Sequence, residues 1–187
     1  MRFDEVSPDT FQGSLTKDLL LSKTWLLSTL SKISKEYSTV YILGSWYGQT
    51  SLMLIADGFD IKKIINVDID RKTLAQGQKM ARALRVDDRI VLMNHDANKL
   101  DYRRLDKEGL VINTSCNDIS GDNWFNRIPK GTLVALQGRN NAPSAKQYNS
   151  LEEFRDSYPL SNILYQDQIT LEDPETEYQR YMVIGLK

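Results

Sequence analysis

The stretch that decides the fold covers residues 39–70 and reads TVYILGSWYGQTSLMLIADGFDIKKIINVDID. It contains two short apolar runs rich in β-branched residues, at 39–43 and 63–67, and each has the length and composition of a buried strand. Between them, residues 49–56 have the composition of a short helix. A strand, a helix and a second strand in this order predict a βαβ unit whose two strands lie parallel.

The same alternation continues on both sides of this unit. An amphipathic helix is predicted over 14–36, where apolar residues recur near helical spacing from Leu15 to Ile33. The predicted elements that follow the unit are a helix at 71–84, strands at 90–93, 110–112 and 132–137, a helical turn at 123–125 and a helix at 151–157. Two longer strands at 162–171 and 178–186, separated by an Asp-Pro turn, predict a hairpin. The sequence therefore predicts an α/β fold with five parallel strands followed by an antiparallel pair.

The length of 187 residues is that of one ordinary domain. Hydrophobic residues make up 41% of the chain and charged residues 26%, a balance that predicts a folded protein with a substantial core. We therefore expect a single domain over residues 1–187, with an N-terminal helical extension at 1–38 and a core at 39–187.

Composition also argues against several kinds of site. The net charge of -1 lacks the basic excess that holds a nucleic-acid backbone, so a nucleic-acid partner is not expected. One cysteine and one histidine provide neither an intramolecular disulfide nor a His or Cys cluster, so no metal is expected. No apolar run approaches the ~20 residues that span a bilayer, and the N-terminus lacks the apolar core of a signal peptide. These features predict a cytoplasmic protein without a membrane partner, and they give no indication of the oligomeric state.

Glycines and acidic residues follow the first two predicted strands, at the edge of a parallel sheet where ligands bind. The first turn runs from Gly44 to Gly48, a spacing that matches neither the dinucleotide motif G-x-G-x-x-G nor a phosphate-binding loop. In the second turn, an acid could accept hydrogen bonds from both hydroxyls of a ribose or merely cap the next helix. We assign the ribose to Asp68 and the helix cap to Asp70, and we expect Ile69 to lie against a purine.

The third turn, at 94–98, carries one carboxylate and the only imidazole of the chain. Asp96 could accept a hydrogen bond from an adenine amino group, or it could simply belong to a polar loop. His95 is a candidate general base because imidazole titrates near neutral pH, although a lone histidine in a loop is often incidental.

Small polar side chains follow the fourth and fifth predicted strands. The fourth turn supplies Asn113, Ser115, Asn117 and Asp118 as hydrogen-bonding groups for a substrate or for the transferable end of a cofactor. Cys116 is expected to pack rather than react, because the sequence shows no base to activate it. After the fifth strand, Arg139 could bind a substrate carboxylate or phosphate or could lie in solvent, and Asn140 adds a further polar group.

Taken together, these segments resemble the class I S-adenosylmethionine-dependent methyltransferases. The stretches that carry the resemblance are ILGSWYG at 42–48 with Leu52, VDID at 67–70, NHDA at 94–97, IPKGTLV at 128–134 and the closing hairpin. The resemblance implies a Rossmann-like fold with a mostly parallel seven-stranded sheet and a C-terminal antiparallel hairpin. It also implies S-adenosyl-L-methionine as the cofactor and a small-molecule acceptor as the partner.

The resemblance assigns roles to individual residues. The methionine end of the cofactor would be held by Gly44, Ser45, Trp46 and Gly48. The adenosine would be bound by Asp68, Ile69, Asp96 and Ala97. Asn113 would stand beside the methyl group, and the candidate catalytic residues are His95, Asn113 and Asp118. The acceptor would contact Trp46, Tyr47, Ser115, Asn117, Arg139 and Asn140.

Two residues depart from the family pattern, and they keep alternatives open. Ile42 stands where the family has an acid, and Trp46 stands where it has a glycine. The leading hypothesis is methyl transfer to a small molecule or to an exposed group on a larger one. The alternatives are transfer of an aminopropyl or aminocarboxypropyl group from the same cofactor, and a non-catalytic scaffold that keeps the fold.

Overall fold

A computed structural model describes residues 15–142 and 146–187. The helices are α1 (Lys17–Ile33), α2 (Gln49–Ala56), α3 (Arg71–Ala83), α4 (Asn123–Asn126) and α5 (Leu151–Ser157), with a 3-10 turn at Ala97–Lys99. The strands are β1 (Glu36–Leu43), β2 (Asp60–Asp68), β3 (Ile90–Asn94), β4 (Leu110–Asn113), β5 (Leu133–Arg139), β6 (Asn162–Glu172) and β7 (Glu177–Leu186).

The strands form a seven-stranded sheet in the order β3-β2-β1-β4-β5-β7-β6. Strands β1 to β5 run parallel, whereas β7 pairs antiparallel with both β5 and β6. The predicted α/β fold with a closing hairpin is thus confirmed. The strand order reverses between β1 and β4, and ligands bind at such a switch point, outside the carboxyl ends of the strands.

The sheet is covered on both faces because successive residues of a strand point to opposite sides. On β1, Val40 and Ile42 belong to an apolar layer shared with α1 and α2, including Leu30 and Leu54. The neighbouring Tyr41 and Leu43 belong to the opposite layer. That second layer is strongly aromatic and includes Trp124, Phe125, Tyr148, Phe154, Tyr158 and Tyr181. The continuous apolar runs of the central strands therefore reflect burial on both faces.

The boundaries differ from the predicted ones where polar residues extend an element. Strands β1 and β2 begin three residues earlier than predicted, because Glu36 and Asp60 pair through their main chains while both residues stay exposed. Helix α1 is shorter than the predicted 14–36. Leu15, predicted on its apolar stripe, precedes the helix and is 42% exposed. Ser14, the first residue of the predicted helix, lies outside the described residues. Across the described ranges, no helix has the length and apolar character needed to cross a membrane.

Candidate functional site

A cleft of about 420 Å³ opens at the carboxyl ends of the parallel strands, beside the switch point. Nine of the residues singled out from the sequence line it: Gly44, Trp46, Asp68, Ile69, His95, Asp96, Ala97, Ser115 and Asp118. These residues come from four turns, which follow β1, β2, β3 and β4. The fold therefore assembles most of the predicted cofactor-binding residues around one cavity.

The turn after β1 needs two glycines, for conformation and for space. Gly44 and Gly48 adopt φ angles of 58° and 73°, in the left-handed region that favours glycine. A Cβ atom on Gly44 would lie 2.9 Å from Cβ of Ser115, and one on Gly48 would lie 2.8 Å from Nδ2 of Asn66. Both positions are too crowded for a larger residue unless a neighbour moves.

Trp46 keeps the backbone conformation expected of the glycine that it replaces. Its φ angle is 50°, which costs a non-glycine residue about 1–2 kcal/mol. Its backbone N–H donates a hydrogen bond to Oδ2 of Asp68 at 2.7 Å, and its indole packs against the Tyr47 ring with 5.3 Å between centroids. This charge-assisted bond offsets part of the strain and joins the first turn to the end of β2.

Tyr47 lies behind the cleft rather than on its wall. Its side chain is only 3% exposed, and burial, followed by the charge of Asp70, raises the pKa of its phenol. Helix α3 approaches its main chain closely at Gly77, where a Cβ atom would lie 2.8 Å from the Tyr47 carbonyl oxygen. The predicted contact between Tyr47 and an acceptor stays a prediction.

The carboxylate of Asp68 is the central polar group of the cleft. In addition to the bond from Trp46, its Oδ1 accepts from the backbone N–H of Asp70 at 2.9 Å. A carboxylate oxygen has two lone pairs, so each oxygen can still accept a bond from a sugar hydroxyl. Asn94 donates through Nδ2 to the carbonyl oxygens of Asp68 and Ile69 at 3.1 and 2.8 Å, which fixes the turn. Ile69 is 77% exposed at the rim, an unusual setting for a large apolar side chain.

Asp70 fulfils the capping role predicted for it. Its Oδ1 accepts from the backbone N–H groups of Lys72 and Thr73, at 2.7 and 3.4 Å, at the start of α3. The predicted division between the two acids is therefore confirmed for Asp70. The ribose role of Asp68 stays a prediction.

The turn after β3 presents Asp96 and His95 to the cleft. Oδ1 of Asp96 accepts from the backbone N–H of Asn98 at 2.9 Å, and its other oxygen lies 3.6 Å from Nζ of Lys99. The backbone N–H of His95 donates to the Asp68 carbonyl oxygen at 3.0 Å, whereas its side chain is exposed. Ala97 is buried beneath this turn.

Sequence reasoning missed Asn98, Ile119 and Ser120, which also line the cleft. Asn98 donates through Nδ2 to the carbonyl oxygen of Ser120 at 2.7 Å and accepts from the backbone N–H of Trp124 at 3.2 Å. These bonds hold the segment after β4 against the turn after β3. A sequence gives little signal for them, because the partners are 22 and 26 residues apart.

Asn113 lies at the end of β4 but does not line the cleft. Its Oδ1 atom accepts a hydrogen bond from the backbone N–H of Ser115 at 2.8 Å, and the Asn113 side chain is fully buried. Nδ2 of Asn113 and Oγ of Ser45 are buried and have no hydrogen-bond partner in the part of the chain that the structure describes. Asn113 ends β4 and pairs with Leu43, which ends β1, and Ser45 follows two residues later. Both unpartnered atoms therefore belong to the region where β1 and β4 end, at the switch point. Unpartnered buried polar atoms are uncommon and fit a ligand-binding position.

Three residues predicted to bind the acceptor hold the neighbouring loops together. Asn117 donates through Nδ2 to the carbonyl oxygens of Arg139 and Lys146, at 3.0 and 2.8 Å. Its Oδ1 accepts from the Arg139 N–H at 2.9 Å. Asn140 accepts through Oδ1 from the N–H of Gln179 at 2.8 Å, and the Arg139 guanidinium lies 5.7 Å from the ring centre of Tyr178. None of the three lines the cleft, and acceptor binding by them stays a prediction.

Cys116 packs in the core, as expected from the sequence. It is fully buried in the aromatic layer, and burial raises the pKa of its thiol to about 12. A thiol with this pKa is not a nucleophile near neutral pH. Among the described residues, no group of three or more His, Cys, Asp or Glu side chains is arranged to hold a metal ion.

No protein-family model matches the chain. Among curated proteins, human serum paraoxonase/arylesterase 2 is 29% identical over 116 residues, which are 59% of this chain and 32% of that protein. The chain thus spans about a third of the length of the curated relative that it matches.

Several solved structures with the same fold are methyltransferases. One is a SAM-dependent methyltransferase from Geobacter sulfurreducens in complex with S-adenosyl-L-homocysteine, with 17% identity and a TM-score of 0.53 over 67% of this chain and 51% of that one. Another, from Galdieria sulphuraria and provisionally described as a sarcosine dimethylglycine methyltransferase, has 11% identity and a TM-score of 0.68 over 90% and 86% of the two chains. The chain therefore has the fold of the class I S-adenosylmethionine-dependent methyltransferases.

Proposed function

We propose that this protein is an S-adenosylmethionine-dependent methyltransferase that acts on a small molecule or on an exposed group of a larger one. The observation that carries the proposal is the cleft at the switch point, which Asp68 and Asp96 line together with the exposed side chain of Ile69. Two carboxylates around an exposed apolar surface suit a nucleoside, which has a polar sugar and a flat ring.

The residues present fit the parts of this cofactor. Asp68 would accept from the ribose hydroxyls, and Ile69 would lie against the adenine ring. Asp96 would accept from the adenine amino group. At the switch point, Ser45 and Asn113 offer buried polar atoms without partners in the described residues for the amino-acid end. The fit is supported by these unpartnered atoms as well as by the cleft.

When bound, S-adenosylmethionine supplies a methyl group on a positively charged sulfur, and the sulfur keeps the electron pair of the broken carbon–sulfur bond. The chain mainly has to hold the acceptor in line with that bond, and positioning of this kind contributes several kcal/mol. If the acceptor must also lose a proton, His95 and Asp118 are the candidate bases that reach the cleft wall.

The name of the curated relative suggests ester hydrolysis, but the described residues of the site do not support this activity. Nucleophilic hydrolysis requires a hydroxyl or thiol paired with a base. Within residues 15–142 and 146–187, the His95 side chain makes no hydrogen bond to such a group, and the Cys116 thiol is buried.

The decisive experiment is calorimetric titration of S-adenosylhomocysteine into the full-length protein and its Asp68→Ala variant. We expect the dissociation constant to rise at least tenfold, because hydrogen bonds to a charged acceptor contribute about 1.5–3 kcal/mol each. Asp70→Ala is the matched control, since it removes the adjacent carboxylate that caps α3. It should weaken binding much less and lower stability by about 1 kcal/mol. Equal affinity of wild type and Asp68→Ala would refute the ribose assignment.

Product analysis then distinguishes the reactions that this cofactor allows. S-adenosylhomocysteine as the product indicates methyl transfer, whereas methylthioadenosine indicates transfer of an aminopropyl or aminocarboxypropyl group. Binding without turnover across a broad panel of acceptors would favour a non-catalytic scaffold.

A further inference from the structure

A group of basic side chains lies between α1 and the ends of β5 and β7, next to the cleft. It consists of Lys23 on α1, Arg139 at the end of β5 and Arg180 on β7. Arg139 and Arg180 are direct partners in the antiparallel pairing of β5 with β7. Like charges opposite each other destabilise a strand pair, so the sheet holds these two arginines together at a cost.

Arg180 is nearly buried and is held by neutral oxygens. Arg180 is 6% exposed. Its Nε atom donates a hydrogen bond to Oγ of Ser22 at 3.0 Å. Its Nη2 atom donates to the Thr114 carbonyl oxygen at 2.7 Å and to Oε1 of Gln137 at 3.4 Å. Nη1 makes no hydrogen bond to any residue that the structure describes. Among the same residues, no carboxylate lies within 4.0 Å of the guanidinium of Arg139 or of Arg180.

Three carboxylates interact with this group electrostatically, Asp18 with Lys23, Asp118 with Arg180 and Asp173 with Arg139, but among the described residues none of them forms a direct ion pair with either arginine. The buried carboxylate of Asp18 accepts a hydrogen bond from the Tyr178 hydroxyl at 2.7 Å. Burial, followed by the charge of Arg180, lowers the pKa of Lys23 to about 8, so this amine still carries a proton at neutral pH. A buried guanidinium without a direct ion pair is expensive, and an anionic ligand bound to it would reduce that cost.

The position of the group links it to the cleft. Arg180 donates a hydrogen bond to the carbonyl oxygen of Thr114, and the next residue, Ser115, lines the cleft together with Asp118. Burial lowers the pKa of Arg180, and the negative charge of Asp118 is one of the influences that oppose this shift. Arg139 is only half-buried, so it offers the solvent-facing side of the group. An acceptor seated here would have its reactive end near the switch point.

We propose that the acceptor carries an anionic group, a carboxylate or a phosphate, which Arg139 and Arg180 bind beside the cleft. The planar guanidinium matches both anions through paired N–H donors. The description of the acceptor rests on the proposed methyltransferase function, whereas anion binding at these arginines is tested independently of it.

The test measures anion binding to the full-length protein by calorimetry and ligand-observed NMR near neutral pH, at constant ionic strength balanced with chloride. The probes are acetate, glycine and citrate as carboxylates and inorganic phosphate as the phosphate arm. The variants are Arg139→Gln, which keeps the approximate size of the side chain, and Arg180→Lys, which keeps its charge. Arg82→Gln on the exposed face of α3 is the control, since it removes the same charge away from the site.

At least one probe should bind the wild type with a dissociation constant in the millimolar range or below. Both site variants should weaken the binding of that probe about tenfold or more. Arg82→Gln should leave its dissociation constant within twofold of the wild-type value. Binding confined to carboxylates or to phosphate supports the proposal and identifies the anion. No binding by any probe up to about 20 mM, or binding that neither site variant weakens, overturns it. S-adenosylhomocysteine is titrated into each variant in parallel. Anion binding without cofactor binding would refute the methyltransferase proposal and leave the anion site standing.

Discussion

Gly48 allows a direct test of how the first turn is built. Alanine at this position would adopt a φ angle of 73° and place its Cβ atom 2.8 Å from Nδ2 of Asn66. Two other glycines separate these effects. Gly58 and Gly131 have φ angles of 76° and 82°, but apart from their chain neighbours no atom of the described residues lies within 4 Å of an added Cβ. Alanine at Gly58 or Gly131 therefore tests the left-handed conformation alone, whereas alanine at Gly48 adds the clash.

The expected magnitudes follow from these two terms. The left-handed conformation costs alanine about 1–2 kcal/mol, and reduced freedom of the unfolded chain returns about 0.4–1 kcal/mol. Asn66 is 1% exposed and accepts a hydrogen bond from Oγ of Ser51 at 2.5 Å, so it cannot move freely. Overpacking a buried site costs about 1–3 kcal/mol more. We expect a loss of about 1 kcal/mol for Gly58→Ala and Gly131→Ala and of about 2–4 kcal/mol for Gly48→Ala.

Urea unfolding and thermal melts of the three variants measure these losses. In a chain of this size, 1 kcal/mol corresponds to a shift in Tm of about 2–4 °C. Gly48→Ala should also weaken the binding of S-adenosylhomocysteine, because the displaced turn carries the N–H that bonds Asp68. If Gly48→Ala matches the two control variants in stability, Asn66 absorbs the extra methyl group and the packing argument is wrong.

Two further variants probe the loops beside the site. Asn117→Ala removes three partly buried hydrogen bonds to Arg139 and Lys146 and should lower the free energy of unfolding by about 2–4 kcal/mol, measured by urea unfolding. A loss below about 0.5 kcal/mol would contradict this role. Burial raises the pKa of Cys116 from 9.0 to about 12, so its contribution to stability is complete below pH 9 and is lost as the pH rises toward 12. Between pH 9 and 10, wild type should lose about 1 kcal/mol relative to Cys116→Ala, and parallel pH profiles of the two proteins would refute this.

Apolar patterning predicted the fold because burial on both faces of the sheet leaves a direct record in the sequence. The runs at 39–43 and 63–67 lie inside β1 and β2, and Asp70 caps α3 as its position suggested. The polar pairings of the site leave no such record. The bonds from Asn98 to Ser120 and from Arg180 to Ser22 join residues 22 and 158 positions apart, and no local pattern requires either partner.

The two departures from the family pattern have different structural consequences. Trp46 preserves the turn, since its N–H bonds Asp68 and its φ angle stays in the region that glycine would adopt. Ile42, by contrast, changes what the turn can offer to a ligand. It is 1% exposed and packs with Leu54 in the layer beneath α2, so the β1 strand supplies no carboxylate at this position.

Under the proposed function, the amino-acid end of S-adenosylmethionine would therefore be held by other groups. Ser45 and Asn113 provide neutral polar atoms at the switch point, and Asp118 is the remaining carboxylate on the cleft wall besides Asp68 and Asp96. Asp118 lines the cleft and also interacts electrostatically with Arg180. Under the two proposals, this one carboxylate would therefore act on both the cationic cofactor and the anionic acceptor. Its removal by Asp118→Asn should weaken the cofactor while strengthening the anion, an opposite change that a purely structural residue would not produce.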